Sequence, residues 1–215
     1  FSRHGFPFTT LPAKVQVLAG AATVRILDDA EIRRLLAGAL LLDGPAALML
    51  AERGYADLIG AKVSPLQDLD FNTEIIRPAA GLEPLAGQAL YSMAHYRWGT
   101  EYDTLVAADP LPGTEVVTEF AYRGQPLDAC ATPQVRLHGL MRCVNRLGGR
   151  IVLAPTAFTS QSANTFCYQK RELLRRLIEW LAPDALPAAV LDAPNVSLTA
   201  NLSPGGTSLV LTLFN

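Results

Sequence analysis

Residues 39–54 read Ala39-Leu40-Leu41-Leu42-Asp43-Gly44-Pro45-Ala46-Ala47-Leu48-Met49-Leu50-Ala51-Glu52-Arg53-Gly54, and the fold turns on how this stretch divides. Ala39 to Leu42 is a short, unbroken apolar run, which predicts a central strand covered on both faces. Gly44-Pro45 then restarts the chain as a helix, because proline at the first helical position lacks an N–H that would have had no intrahelical partner anyway. That helix is expected from Pro45 to Arg53. It stops at Gly54, the residue type that accepts a left-handed C-terminal conformation without strain. Asp43 therefore stands at the elbow between a core strand and a helix.

Working outward, Lys14 to Ala19 (K-V-Q-V-L-A) predicts a short buried strand. Asp28 caps a helix and Glu31, three residues on, closes a capping box. Ile32, Leu35 and Leu36 then recur at helical spacing up to Gly38. On the far side of the elbow, Asp57 to Val63 reads as a third strand. Strand, helix, strand, helix, strand within about 50 residues predicts parallel pairing with right-handed crossovers and helices laid against the sheet, an open α/β sandwich.

Residues 64–147 are less regular. Thr73 to Arg77, Gly87 to Met93, Thr104 to Ala107 and Glu115 to Tyr122 are strand candidates, punctuated by Pro78, Pro84, Pro110, Pro112, Pro126 and Pro133. Gly148-Gly149 followed by Arg150-Ile151-Val152-Leu153-Ala154 reads as a turn entering a core strand. Lys170 to Leu181 is the clearest helix, with Leu173, Leu174, Leu177, Ile178 and Leu181 in one stripe and Arg171, Arg175 and Glu179 outside it. Beyond Pro183, Val196 to Leu202 and Leu209 to Leu213 alternate apolar and polar residues about a Ser203-Pro204-Gly205-Gly206 turn, a β-hairpin pattern.

The chain opens on Phe1 without an initiator Met and closes on Leu209-Val210-Leu211-Thr212-Leu213-Phe214-Asn215. So apolar a strand wants a partner and a covered face. The expectation is a piece of a longer protein: an α/β domain over residues 1–183, and over 184–215 the first hairpin of a truncated β-domain.

Composition excludes several classes of function. Of 215 residues half are hydrophobic and the net charge is −2, which suits a large buried core and gives no basic stripe for a phosphate backbone. The densest basic cluster, Lys170 to Arg176, is interrupted by Glu172 and reads as a solvated helix face. The longest apolar stretches, Ala37 to Leu42 and Pro45 to Ala51, are broken by Asp43-Gly44 and fall short of the roughly 20 residues a membrane span needs. Neither nucleic acid nor membrane is expected as a partner. No signal peptide is seen, and a cut fragment would have lost one, so the compartment stays open with the cytoplasm as the default.

The search for chemistry is mostly one of exclusion. Cys130, Cys143 and Cys167 are odd in number and widely spaced, with no C-x-x-C pair. They read as small buried hydrophobes, though a Cys130–Cys143 disulfide is left open. No metal pattern and no phosphate-cradling glycine loop occurs, so no cofactor or metal is expected. The elbow has the placement of a nucleophile turn such as G-x-S-x-G, but Asp43 occupies the nucleophile's position and Pro45 removes a donor an oxyanion hole would use. An aspartate nucleophile is one reading; a helix-capping carboxylate at the positive end of the helix dipole is the preferred one. His4, His95 and His138 are the three candidate bases. His138 beside Cys130 or Cys143 is the alternative catalytic pair. Asp68 with Asp70, and Glu115 with Glu119, are candidate acid–base carboxylates. The aromatic patch Tyr91, His95, Tyr96 and Trp98 is the candidate binding surface, for a sugar ring or a protein neighbour.

Two segments carry a resemblance. Asp28-Asp29-Ala30-Glu31-Ile32 leads into Leu40-Leu41-Leu42-Asp43-Gly44 and then Ala51-Glu52-Arg53-Gly54-Tyr55. Later come Gly148-Gly149-Arg150-Ile151-Val152 and the helix Arg171 to Leu181. Together, Lys14 to Val63 and Gly148 to Leu181 resemble the glutamine-amidotransferase-like domain of glycoside hydrolases of the bacterial β-galactosidase type. There the domain follows the catalytic (β/α)8 barrel and is called the trimerisation domain. The resemblance implies a flavodoxin-like three-layer sandwich with a mostly parallel sheet, and a non-catalytic accessory role. It also implies partnership with the parent's own barrel, a homo-oligomer, and a carbohydrate in the vicinity. In active class I amidotransferases the elbow nucleophile is a cysteine, so Asp43 argues against glutaminase activity. The catalytic glutamates of the β-galactosidase family lie in the barrel, and none maps onto this chain. An amidotransferase-like hydrolase using the Cys/His pair and a carbohydrate-binding module are the competing expectations.

Overall fold

The computed structural model describes residues 6, 9, 12–65, 71–94, 106–122, 136–158, 168–190, 196–203 and 207–214. In chain order the first elements are β1 (Val15–Leu18), α1 (Ala21–Ile26), α2 (Asp29–Leu36), β2 (Ala39–Leu42), α3 (Gly44–Glu52), α4 (Ala56–Ile59) and β3 (Ala61–Pro65). There follow β4 (Phe71–Ile76), a 3-10 turn at Glu83–Leu85, β5 (Ala89–Ala94), β6 (Val106–Pro110), β7 (Glu115–Val116) and β8 (Thr118–Tyr122). The last are β9 (Arg136–His138), β10 (Met141–Val144), β11 (Arg150–Leu153), α5 (Tyr168–Leu181), β12 (Ser197–Leu202) and β13 (Leu209–Phe214).

Local signals place the first helices. The Asp28 carboxylate accepts the Glu31 N–H at 2.8 Å and the Glu31 carboxylate accepts the Asp28 N–H at 3.1 Å, a complete capping box on α2. The face this cap launches buries Ile32 and Leu36. α3 starts at Asp43 with Pro45 in its first turn, and Gly54 beyond it takes the left-handed φ of 86°. The six-residue α1 was not anticipated.

The central sheet has the order β1-β2-β11-β10-β7. β1, β2 and β11 are parallel, in register with Leu18 opposite Leu42 and Leu42 opposite Leu153. β10 and β7 are antiparallel. Alternation along β2 and β11 sorts the core into two halves. Leu40, Leu42, Ile151 and Leu153 face one way, among Val24, Ile32, Leu36, Leu50, Leu58 and Ile59 of α1–α4. Leu41 and Val152 face the other, among Leu173, Leu177 and Leu181 of α5 and Leu82 and Leu85 of the 3-10 turn. Leu40, Leu41 and Leu42 are essentially sealed from solvent, each contributing about 1.5–3 kcal/mol relative to an exposed side chain.

The expectation of a mostly parallel sheet is corrected to a mixed one. Only residues 145–149 separate β10 from β11, and a parallel connection needs a crossover of a dozen residues or more. That short link can only make a hairpin. β10 escaped the sequence reading because Arg142 interrupts its pattern, yet Arg142 is buried. Its guanidinium donates to Glu115 at 2.6 Å and to the Ala80 carbonyl at 2.8 Å, and lies 5.0 Å from the Trp180 ring centroid.

Asp57 to Val63 is likewise not a third parallel strand. Its first half is α4, ended by Gly60 in the left-handed region (φ 75°), and only then does β3 begin, pairing antiparallel with β6. A Cβ at Gly60 would sit 2.5 Å from Thr114 Oγ1 and 2.6 Å from Cys143 Sγ, so packing as well as φ demands glycine. Glu115 to Tyr122 is two strands. β7 closes the central sheet, while β8 joins a separate four-stranded antiparallel sheet, β5-β4-β8-β9. β12 and β13 pair antiparallel with Leu198 opposite Leu213. Leu198 is buried, whereas Leu209, Val210, Leu211, Leu213 and Phe214 are exposed.

The β10–β11 turn is locked to the helices by Asn145. Its side-chain amide donates to the carbonyls of Leu36 (2.8 Å) and Leu58 (2.9 Å), and its Oδ1 accepts the N–H groups of Leu147 and Gly149. The hairpin thereby sits so close to α2 that a Cβ on Gly149 would fall 1.9 Å from the Leu36 carbonyl oxygen. Neither atom is at the end of a flexible side chain. Gly149→Ala is expected to lower unfolding free energy by about 2–3 kcal/mol in urea titration. Gly81→Ala, with open space around its Cβ position, carries only the cost of its positive φ and serves as the comparison.

Candidate functional site

The elbow is built at the carboxyl ends of the three parallel strands, where open α/β sheets ordinarily place their ligands. β2 delivers Asp43 between the ends of β1 and β11. Asp43 is fully buried, and its backbone is extended (φ −93°, ψ 167°) as an N-cap requires. Its carboxylate is shared among three segments. Oδ1 accepts the N–H of Gly20 at 2.9 Å and of Ala46 at 2.9 Å. Oδ2 accepts the same Gly20 N–H at 3.0 Å and the Phe158 N–H at 3.3 Å. The side chain thus ties Gly20, two residues beyond β1, the first turn of α3 and the loop after β11 to one point.

The surroundings are closed by backbone. Gly44 donates to the Thr156 carbonyl at 3.3 Å, and Val106 donates to the Pro155 carbonyl at 3.0 Å. A Cβ at Gly44 would lie 2.2 Å from the Pro155 oxygen, so glycine at this position reflects the closeness of the post-β11 loop. Burial pushes the Asp43 carboxyl above its ordinary value of 3.8, and the bonds from Gly20, Ala46 and Phe158 pull it back without cancelling that effect. A nucleophilic carboxylate needs an oxygen lone pair aimed at substrate. Here both oxygens are engaged by N–H groups of the fold, and the arrangement is that of a three-way clamp.

Of the other sequence candidates, those among the described residues are not gathered around the elbow. Cys143 is buried on the helix-facing side of β10, among the side chains of α1–α4, and contacts Thr114 and Gly60. Its thiol is pushed above 9.0 by burial, which the hydrogen bond with Thr114 only partly offsets, the reverse of an activated cysteine. Iodoacetamide is expected to label the Cys143 peptide only under denaturing conditions, as read by mass spectrometry of native and urea-treated protein. Rapid native labelling would show an accessible thiolate instead.

His138 lies on β9 opposite Glu119, and its Nδ1 is buried with no hydrogen-bond partner among the described residues, so the Cys143 thiol does not engage that nitrogen. Cys130, Cys167, His4, His95, Tyr96, Trp98, Asp68 and Asp70 lie outside the described residues, as does the side chain of Tyr91, whose backbone in β5 pairs with Thr73 of β4. Glu115 and Glu119 stand in different sheets. The first is bound to Arg142 at 2.6 Å and the second to Arg77 at 3.4 Å, so they do not form an acid–base couple with each other. Among the described residues no group of three His, Cys, Asp or Glu side chains is placed to hold a metal ion, and no helix is long and apolar enough to cross a membrane.

Sequence reasoning missed a buried ion pair. Glu74, on β4, has no exposed surface and is bonded through Oε2 to Lys170 on α5. Its Oε1 accepts the Thr118 hydroxyl at 2.7 Å, and Thr118 Oγ1 accepts the Leu140 N–H at 2.7 Å. The signal in the sequence was faint: a lone acid in Thr73-Glu74-Ile75-Ile76, at an inward position once the face of the strand is known. Strand alternation puts Glu74 with Thr118 and Phe120, and His138 with Glu119 on the opposite face. The orphaned histidine nitrogen and the buried ion pair are therefore separate features. No protein-family model, no curated protein and no solved structure matches this chain.

Proposed function

We propose that this chain is a non-catalytic accessory domain of a carbohydrate-active enzyme, of the glutamine-amidotransferase-like type found beside the barrel of bacterial β-galactosidase-like glycoside hydrolases. Its core is a flavodoxin-like sandwich that has lost its elbow nucleophile, and it acts by association with the parent's catalytic barrel and with further copies of itself. The observation that carries this reading is Asp43: the residue standing where a nucleophile would stand has both carboxylate oxygens bonded to backbone N–H groups of its own fold. In this reading the elbow position holds three segments together instead of serving chemistry.

Two measurements on the same protein test it. Light scattering over a range of concentrations is expected to show self-association. Assays for glutamine hydrolysis and for release of p-nitrophenol from its β-galactoside are expected to show no turnover above a no-protein control. A strictly monomeric chain would overturn the association role. Turnover that disappears in Asp43→Asn while the unfolding midpoint stays put would overturn the non-catalytic one.

A further inference from the structure

We draw no further inference here: the strongest candidate, the exposed apolar strand β13 (Leu209–Phe214), whose outer edge is unpaired among the described residues, carries nothing because no feature of the structure shows what covers it.

Discussion

Asp43→Ala is expected to remove about 3–5 kcal/mol of unfolding free energy, enough to abolish or nearly abolish the folded state of a marginally stable domain. The reason is asymmetry. The substitution deletes one acceptor group but strands the N–H groups of Gly20, Ala46 and Phe158, all of which point at the vacated carboxylate. An unpaired buried donor costs about 1–3 kcal/mol. The three do not sum fully, because penalties at groups that share one partner are not additive. Asp43→Asn keeps the volume and one accepting oxygen but turns an NH2 toward at least one donor, and about 1–2 kcal/mol is expected from it.

The pH dependence separates the clamp from simple packing. Asp43's folded-state pKa is raised, so its ionised form is the disfavoured one in the fold. Its contribution is complete below the ordinary carboxyl value of 3.8 and is lost as pH rises through the folded-state value. The stability gap between the wild type and Asp43→Asn is therefore expected to widen as pH falls through the folded-state value toward 3.8. Urea titrations from pH 7 downward measure it. A gap that narrows instead would mean that the N–H bonds outweigh burial and hold the carboxylate ionised.

Lys170→Met is expected to cost about 3–5 kcal/mol, because it leaves the Glu74 carboxylate uncompensated in a fully buried place. Thr118 alone cannot replace the lost charge. The double variant Glu74→Gln with Lys170→Met is expected to regain most of that loss. A glutamine carbonyl still accepts the Thr118 hydroxyl, and no net charge remains to be desolvated. The double-mutant cycle yields the coupling directly. If Lys170→Met alone costs under about 1 kcal/mol, the pair behaves as a surface ion pair and water reaches Glu74.

Both groups illustrate how far the chain is legible residue by residue. Asp43 was visible as an elbow and as a cap, because strand, Gly-Pro and helix are adjacent in sequence. That its other partners are Gly20 and Phe158 was not visible, since these lie 23 and 115 residues away. Glu74 and Lys170 are 96 residues apart, and neither has a local pattern that marks it as buried. Cys143 and His138 stood as an open pair, though nothing in their spacing favours one. The strands that carry them belong to different sheets, and only the pairing order reveals it.

What the amino-acid order determined by itself was local: the capping box at Asp28, the core strand Ala39–Leu42, the helix start at Gly44-Pro45, the amphipathic helix ending at Leu181, and the alternating hairpin after residue 196. Each is written in contacts between residues a few positions apart, where backbone geometry and side-chain period leave little choice. The tertiary structure decided the rest. It split 115–122 between two sheets, made 56–59 a helix before a strand, folded β10 back on β11, and turned an elbow aspartate into a clamp. Those outcomes depend on which distant backbone groups a strand or a carboxylate meets, and the energy of such meetings is set by burial and partner geometry that no local window contains.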